Sequence, residues 1–271
     1  MRSIKTLSII AITCGLISAY VMHTKKSHYG VSYKNIFYSL VMKFTEPQTS
    51  LTKKEYSNGK LREADVIKRL SPRLNKALKE KNLKLGSPVF IRIFKESGEL
   101  EIWVENQKTH RFDHFKTWRI AAMSGKLGPK TAEGDYQAPE GFYYVPPSRM
   151  KPDSAYHLAF NIGYPNQYDL NHNRTGSFIM VHGNRVSIGC YAMTDRLIEE
   201  IYTLCHAALK NGQPYFRVHA FPFRMTPEKM ATYRSSHWYP FWKNLQEGYS
   251  LFEKSHIPPK VKVIGKNYHF E

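Results

Sequence analysis

Apolar residues recur with two different periods along the chain, and the change from one period to the other falls near residue 86. Between residues 61 and 82, apolar positions return every three or four residues with charged residues between them, which is typical of an amphipathic helix. Ser71-Pro72 interrupts this pattern, and proline in a helix interior removes a hydrogen bond and crowds the preceding turn. We therefore predict one kinked helix or two shorter helices.

Beyond residue 86, short apolar runs separated by turn residues predict β-strands. Val89–Phe94 and Leu100–Val104 flank Ser97-Gly98, and the second run alternates apolar and polar positions. These two runs predict a hairpin. Further strands are predicted at Phe112–Ala122, Glu140–Val145, Phe178–Val181 and Phe216–Ala220.

Helical periodicity returns three times in the second half of the chain. Asp195–Lys210 has one apolar face, with Thr194 as its predicted N-cap and Asn211-Gly212 at its end. Two more helices are predicted, one from Thr226-Pro227-Glu228 and one around Trp238–Lys254, and a closing hairpin through Gly265-Lys266 follows. The predicted fold class is α+β, mainly β, with one inserted helix and C-terminal helices.

The N-terminus has the organisation of an export signal. Arg2 and Lys5 precede the uncharged run Leu7–Met22, which has no good cleavage site at its end. We expect an uncleaved inner-membrane anchor or a cleaved signal, and in either case export to the periplasm or cell envelope. A buried N-terminal helix is the alternative that these residues leave open.

Composition narrows the class of protein. The chain has 271 residues, of which 42% are hydrophobic and 23% charged, which excludes collagen-like, low-complexity and wholly disordered chains. The formal net charge of +18 favours an anionic partner. No nucleic-acid-binding motif accompanies this charge, so nucleic acid is not the expected partner. Three cysteines, Cys14, Cys190 and Cys205, make no disulfide framework.

The densest cluster of reactive residue types lies between the predicted strand Phe178–Val181 and the helix cap Thr194. The strand leads into His182-Gly183, and a short loop returns to Ser187-Ile188-Gly189-Cys190. An adjacent imidazole, or the positive end of the helix that follows, lowers a thiol pKa and supplies thiolate. The amides of Gly189 and Cys190 are candidates for an oxyanion hole.

Two interpretations of this cluster follow from the residues alone. In the first, His182 activates Cys190 for nucleophilic attack, and the group that orients the imidazole stays unassigned. In the second, both residues are structural, as Cys205 is expected to be on the apolar face of its helix. Zinc is not expected, because His182 and Cys190 lack two further ligands at a familiar spacing. No cofactor is expected either.

Several motifs resemble those of the L,D-transpeptidase catalytic domain, the YkuD-type fold. They are His182-Gly183, the run Ser187–Cys190, and an upstream run from Gly134 to Phe142 that follows the glycine-bearing loop Gly125–Lys130. Two features depart from the family pattern. Ile188 stands where the family has a second His, and Tyr191-Ala192 replaces a basic or amide residue.

These departures are similar to those of the YafK-like murein enzymes, one branch of the family. The resemblance spans roughly residues 86–263. Its motifs are Ser187–Thr194, Lys151–Ser154, Asn161–Asn166 and Pro222–Thr226.

The resemblance implies cysteine chemistry on peptidoglycan stem peptides. It implies that Cys190 attacks a diaminopimelate carbonyl at the L-centre and forms a thioester, while His182 takes the thiol proton. Hydrolytic release of wall-linked lipoprotein is the expected reaction, because the lost polar motif residues would otherwise help to bind an amine acceptor. Transpeptidation that forms cross-links or protein attachments is the alternative, and a non-catalytic peptidoglycan-binding protein is the alternative of another class.

The remaining expected site residues surround this pair. Gly183, Ser187 and Gly189 are expected to orient the loop or bind the oxyanion. Tyr191 and Tyr164 are expected to wall the cleft, and the candidate carboxylate binders are Lys130, Arg185, Arg174 and Arg224. The expected domains are a signal or anchor at 1–22, a linker and helical segment at 23–85, the catalytic domain at 86–220 and a helical annex at 221–271.

Overall fold

The computed structural model describes residues 58–271. The elements follow one another in this order: α1 (Gly59–Lys79), β1 (Val89–Phe94), β2 (Glu99–Glu105), β3 (Phe112–Arg119), β4 (Gly141–Val145), β5 (Met150–Lys151), β6 (Ala159–Asn161), α2 (Gln167–Asn171), β7 (Met180–His182), β8 (Tyr191–Ala192), α3 (Asp195–Lys210), β9 (Phe216–Phe221), α4 (Pro227–Thr232), α5 (Tyr239–Ser255), β10 (Val261–Ile264) and β11 (Asn267–Phe270).

A five-stranded sheet in the order β3-β2-β1-β9-β4 lies at the centre of the fold. Strand β1 pairs parallel with β9, and the other neighbours in this sheet pair antiparallel. Every residue of β1 is buried, because both faces of the sheet are covered. A smaller sheet, β5-β6-β7-β8, carries the motif residues around His182 and Cys190. The mainly-β α+β class is confirmed.

Helix α1 packs into the same core as one face of the large sheet and helix α3. Its buried residues Val66, Leu70, Leu74 and Leu78 recur at helical spacing, as the sequence predicts. The helix runs without interruption through Pro72, so the prediction of two helices is wrong. Burial of this apolar stripe offsets the cost of proline in a helix, which is about 3 kcal/mol.

Helix α5 and the hairpin β10-β11 form a second core on the aromatic-rich side of the fold. Phe142 of β4 packs edge-to-face against Tyr268 and Phe270 of the hairpin, at centroid distances of 4.8 and 5.2 Å. The hairpin predicted through Gly265-Lys266 is confirmed.

Two predicted strands are shorter in the structure. Strand β3 ends at Arg119, because the chain beyond it turns to bridge Ala122 to Ala192 of β8. Strand β7 begins at Met180, two residues later than predicted. Phe178 has a left-handed backbone, with φ of 56°, and its side chain is 72% exposed, so it does not belong to the buried strand.

Within residues 58–271, no helix combines the length and the apolar composition needed to cross a bilayer. The predicted signal or anchor and most of the predicted linker lie outside the described residues.

Candidate active site

Strands β7 and β8 bring His182, the last residue of β7, close to Cys190, the residue immediately before β8. The strands are parallel, with Val181 opposite Tyr191 and His182 opposite Ala192. Cys190 therefore enters β8 beside Met180, and His182 lies two residues further along, about 6.5 Å at strand spacing. Both residues line one cleft of about 620 Å³. The structure thus brings together the two residues that the sequence singles out.

The Cys190 sulfur is held by the backbone of the neighbouring segment. The Met180 amide donates a hydrogen bond to Sγ at 3.3 Å. The thiol itself donates to the Phe178 carbonyl oxygen at 3.7 Å. In the portion of the chain described, Sγ makes no hydrogen bond to His182. A direct contact between the thiol and the imidazole stays a prediction for the substrate-bound protein, in which catalytic contacts tighten.

The imidazole of His182 is oriented by the next residue in the chain. Its Nδ1 lies 2.5 Å from the carbonyl oxygen of Gly183, and the Tyr156 ring packs against it at 4.8 Å between centroids. A carbonyl only accepts hydrogen bonds, so Nδ1 carries the proton and Nε2 keeps its lone pair. The Gly183 carbonyl is the orienting group that the sequence left unassigned.

Glycine at position 183 is required by space. A β-carbon there would lie 2.5 Å from Asp195 Oδ1 and 2.7 Å from the carbonyl oxygen of Tyr156. Asp195 begins helix α3 and accepts a 2.7 Å hydrogen bond from the Asn184 amide. Close approach of these backbone segments therefore fixes the turn after His182.

Burial favours the neutral form of both the Cys190 thiol and the His182 imidazole. Desolvation raises the pKa of the Cys190 thiol, and the Met180 amide and the Lys130 charge only partly oppose it. Desolvation also lowers the pKa of His182, opposed by the Gly183 carbonyl and the Asp195 charge. The expectation of a thiol pKa lowered by the imidazole or the helix is therefore wrong for this state, because desolvation dominates. Both shifts favour a neutral thiol close to a neutral imidazole.

The loop that carries the thiol is closed by Ser187. Its hydroxyl donates to the Cys190 carbonyl oxygen at 2.6 Å and accepts from the Gly189 amide at 3.2 Å. Gly189 has a φ of +135°, a backbone conformation that residues with a side chain rarely adopt. Because the Gly189 amide is already bonded to Ser187, the Cys190 amide is the better candidate of the two for an oxyanion hole.

Lys130 lines the cleft as a buried cation, with 4% of its surface exposed. Its Nζ donates to Asp135 at 2.5 Å and to the Ala132 carbonyl at 2.8 Å. Asp135 in turn accepts from the amides of Thr131, Ala132 and Gln137, which fixes the loop that forms one wall. Lys130 therefore holds this wall and adds positive charge close to the thiol.

The other predicted carboxylate binders lie elsewhere. Arg174 is buried and bonded to Asp169 at 2.8 Å. Arg224 bridges Glu99 and Glu101 at 2.9 and 2.7 Å. Arg185 is partly exposed on the loop between β7 and β8, and it is not a lining residue of the cleft.

Comparison with known proteins identifies the family. The family model of the L,D-transpeptidase catalytic domain, YkuD, matches residues 88–215. A protein of Escherichia coli strain K12 that is named as an L,D-transpeptidase, YafK, is 44% identical to this chain over 184 residues. The matched residues cover 68% of this chain and 74% of YafK. The chain belongs to the YkuD L,D-transpeptidase family. It is an L,D-transpeptidase-family enzyme of peptidoglycan, as the motifs indicated.

Two solved structures are similar to parts of this L,D-transpeptidase-family chain. One is the helical cell shape determining protein Pgp2 of Campylobacter jejuni (K307A mutant), with TM-score 0.41 and 17% identity over 79% of this chain and 82% of that one. The other is Bd1075 of Bdellovibrio bacteriovorus, with TM-score 0.36 and 19% identity over 68% and 83% of the two chains. Both TM-scores are below 0.5, and we draw nothing further from them.

Tyr191 and Tyr164 do not wall the cleft of this family member, contrary to expectation. Tyr191 is fully buried, and its hydroxyl donates to the Pro139 carbonyl at 2.5 Å. Tyr164 is 3% exposed, and its hydroxyl donates to the Thr175 carbonyl at 3.0 Å and lies 3.3 Å from the Lys130 carbonyl. Each phenol ties loops together from inside the core. Their position beside the motifs suggested a surface role, but their side chains face inward.

Exposed apolar side chains form a rim around the cleft that sequence reasoning missed. Ile188 is 75% exposed, and its presence in place of the family's second His was the one available signal. Local patterns in the sequence show neither the left-handed backbone conformation of Phe178 nor the convergence of distant loops at the cleft. The members of this apolar rim are Tyr136, Tyr156, Phe178, Val186 and Ile188.

Residues 58–271 contain no group of three or more His, Cys, Asp or Glu side chains placed to hold a metal ion.

Proposed function

We propose that this enzyme cleaves peptidoglycan stem peptides at the L-centre of diaminopimelate, with Cys190 as nucleophile and His182 as general base. One observation carries the proposal: His182, at the end of β7, and Cys190, immediately before the adjacent parallel strand β8, line the same cleft. The tautomer of His182 leaves Nε2 free to accept a proton. A non-catalytic binding protein would need neither this tautomer nor the thiol.

In the acylation step, Sγ attacks the carbonyl carbon while the thiol proton moves to Nε2. The carbonyl oxygen becomes an oxyanion, which the Cys190 amide stabilises. When the tetrahedral intermediate collapses, the C–N bond breaks and the imidazolium gives its proton to the departing amine. A thioester remains on Cys190, and His182 is neutral again. Because both groups start neutral, proton transfer accompanies attack and does not precede it.

We assign water as the acceptor that resolves the thioester. His182 takes a proton from the water while the water oxygen attacks the thioester carbonyl carbon. The C–S bond then breaks, and the imidazolium returns its proton to the departing sulfur, which regenerates the thiol and releases the acid product. The side of the cleft next to the nucleophile presents the exposed Val186 and Ile188, which offer no hydrogen bonds to an amine acceptor. An acceptor that is not held competes poorly with water. Release of wall-linked lipoprotein is the reaction that fits this chemistry.

We also propose that the enzyme works in the cell envelope, where its substrate lies. The basic residues Arg2 and Lys5, followed by the apolar run Leu7–Met22, support export and an inner-membrane anchor.

Product analysis tests the proposed function. The purified protein is incubated with lipoprotein-linked muropeptides together with free acceptor muropeptides, and the products are identified by mass spectrometry. Free lipoprotein C-terminal peptide and a stem peptide that ends in a free diaminopimelate carboxylate are expected. Cross-linked dimers as the main product would show transpeptidation in place of hydrolysis. The absence of any product from either substrate would favour the binding-protein alternative. Cys205→Ala is the matched control for Cys190→Ala, because Cys205 is buried in the core.

A further inference from the structure

A second groove, of about 570 Å³, lies where strands β4 and β9 meet the start of the C-terminal hairpin. In the sheet register, Tyr144 is opposite Arg217 and Phe142 is opposite His219. Alternate residues of a strand share a face, so these four side chains lie on one face of the sheet. The hairpin covers Phe142, whereas Tyr144 remains 50% exposed. The groove is therefore the uncovered end of a sheet face.

Aromatic and cationic side chains alternate along this open end. The rings of Tyr144 and Tyr215 are 5.3 Å apart between centroids, and Tyr215 is 36% exposed. The guanidinium of Arg149 lies 5.0 Å from the Tyr144 ring centre, and that of Arg217 lies 5.4 Å from the Tyr215 ring centre. Stacking on arginine restrains exposed tyrosines and leaves part of each ring available to a ligand.

The charge of the groove is mainly positive. Arg217, Lys260 and Lys262 line it together with one acid, Glu271, which pairs with Lys262 at 2.5 Å. Among the residues that the structure describes, Arg217 makes no ion pair with a carboxylate, and Lys260 makes no close ion pair but interacts electrostatically with Glu271. Arg217 is therefore a cation of the groove that no carboxylate pairs with, and Lys260 adds a second positive charge beside Glu271.

His219 lines the inner end of the same groove. Its side chain is 1% exposed, and neither ring nitrogen has a hydrogen-bond partner within residues 58–271. Buried polar groups without partners are rare in folded proteins because they cost free energy. An unpaired imidazole at this position is an independent sign that the groove receives a polar ligand.

We propose that this groove is a second binding site, for a carboxylate-bearing glycan, and that it holds a peptidoglycan strand while the cleft acts on a stem peptide. Sugar rings present apolar C–H faces that pack on exposed tyrosines, and arginine and lysine bind carboxylates. The site uses the peptidoglycan substrate class but needs neither Cys190 nor His182, so it goes beyond the proposed reaction. A groove that bound nucleic acid would also use aromatic and cationic groups, and the test separates the two.

Co-sedimentation with purified sacculi tests the second site in a protein that cannot turn over. In the full-length Cys190→Ala protein, Tyr144→Ala and Arg217→Gln are each expected to weaken sacculus binding about fivefold. Arg234→Gln removes an exposed arginine outside the groove and is expected to leave binding unchanged. If Arg217→Gln unfolds at a lower temperature than the parent protein, Lys260→Gln, at an exposed position, is used in its place. In protein with Cys190 intact, turnover of a short soluble muropeptide should not change.

Three outcomes decide the proposal. Selective loss of sacculus binding in the groove variants, with soluble turnover intact, supports it whether or not the products match the proposed hydrolysis. Unchanged sacculus binding in Tyr144→Ala and in both cation variants overturns it. Competition by a single-stranded oligonucleotide at concentrations where soluble acidic glycan does not compete also overturns it, since the groove would then be a nucleic-acid site.

Discussion

The Nδ1 of His182 lies 2.5 Å from the carbonyl oxygen of Gly183, the residue that follows it in the chain. No third side chain is needed to select the tautomer of His182. The Gly183 carbonyl oxygen can only accept a hydrogen bond, so the proton of the neutral imidazole lies on Nδ1. Burial at the same time lowers the pKa of the imidazole. The imidazole is therefore held in the orientation of a base, and burial favours its neutral form before substrate binds.

The acid limb of the pH profile follows from this arrangement. His182 acts as a base only when neutral, so activity is lost as pH falls through its pKa. Because burial lowers that pKa, the midpoint of kcat/KM on the acid side is expected below the ordinary value of 6.5. Asp195→Asn keeps an acceptor for the Asn184 amide but removes a charge that raises the pKa, so the midpoint should fall further. An acid-side midpoint above 6.5 would contradict the buried neutral base.

The Cys190 thiol should titrate at higher pH than an ordinary cysteine. Burial raises its pKa, and the Lys130 charge opposes that rise. Iodoacetamide reacts with the thiolate, so the midpoint of the alkylation rate against pH is expected above the usual range of about 8–9. Lys130→Met should move the midpoint higher still, whereas Lys130→Arg keeps the charge and should move it less. A midpoint near neutrality would mean a preformed thiolate and would refute the neutral pair.

Substitutions at Tyr191 and Phe178 should have different effects, one on stability and the other on substrate binding. Tyr191→Phe leaves the buried Pro139 carbonyl without its donor and is expected to cost about 1–3 kcal/mol of unfolding free energy. Its KM should be unchanged, because the ring does not reach the cleft. Phe178→Ala removes a side chain that is 72% exposed and should raise KM with little change in stability. The opposite pattern, with Tyr191→Phe raising KM alone, would return Tyr191 to the substrate site.

Gly189 should tolerate no side chain without loss of activity. Its φ of +135° is strained for any other residue, at a cost of about 1–3 kcal/mol. Gly189→Ala is expected to shift the loop that carries Cys190 and to lower kcat more than stability. Gly98→Ala is the matched control, because Gly98 also has positive φ, at +63°, but lies in a distant hairpin turn with open space around it. Equal kcat values for the two variants would exclude a positioning role for Gly189.

Local patterns in the sequence predict most of the elements that position the site. Helix α3 begins at Asp195 after its Thr194 cap and ends at Lys210, as predicted, because both its capping residues and its apolar face are local signals. The hairpin of β1 and β2 is likewise encoded by alternation and by a turn. Cys205 is buried on the apolar face of α3, as its spacing indicated.

What local patterns could not supply depends on contacts between distant segments. The Tyr191 hydroxyl reaches the Pro139 carbonyl, 52 positions away, and the Tyr164 hydroxyl lies 3.3 Å from the Lys130 carbonyl, 34 positions away. Whether a tyrosine faces the cleft or the core is decided by such packing, and the two directions look alike in sequence. The dominance of desolvation over neighbouring charge at Cys190 also follows from three-dimensional burial alone.

Mass spectrometric mapping of the acyl-enzyme tests the central claim most directly. The protein is mixed with a lipoprotein-linked stem peptide, quenched in acid within the first turnover, digested and mapped. The account predicts a mass increase equal to the stem peptide acyl group on the Cys190 peptide, removed by hydroxylamine as expected for a thioester. The adduct should be absent in Cys190→Ala and retained in Cys205→Ala. Turnover in Cys190→Ala, or an acyl group mapped to another residue, would contradict it.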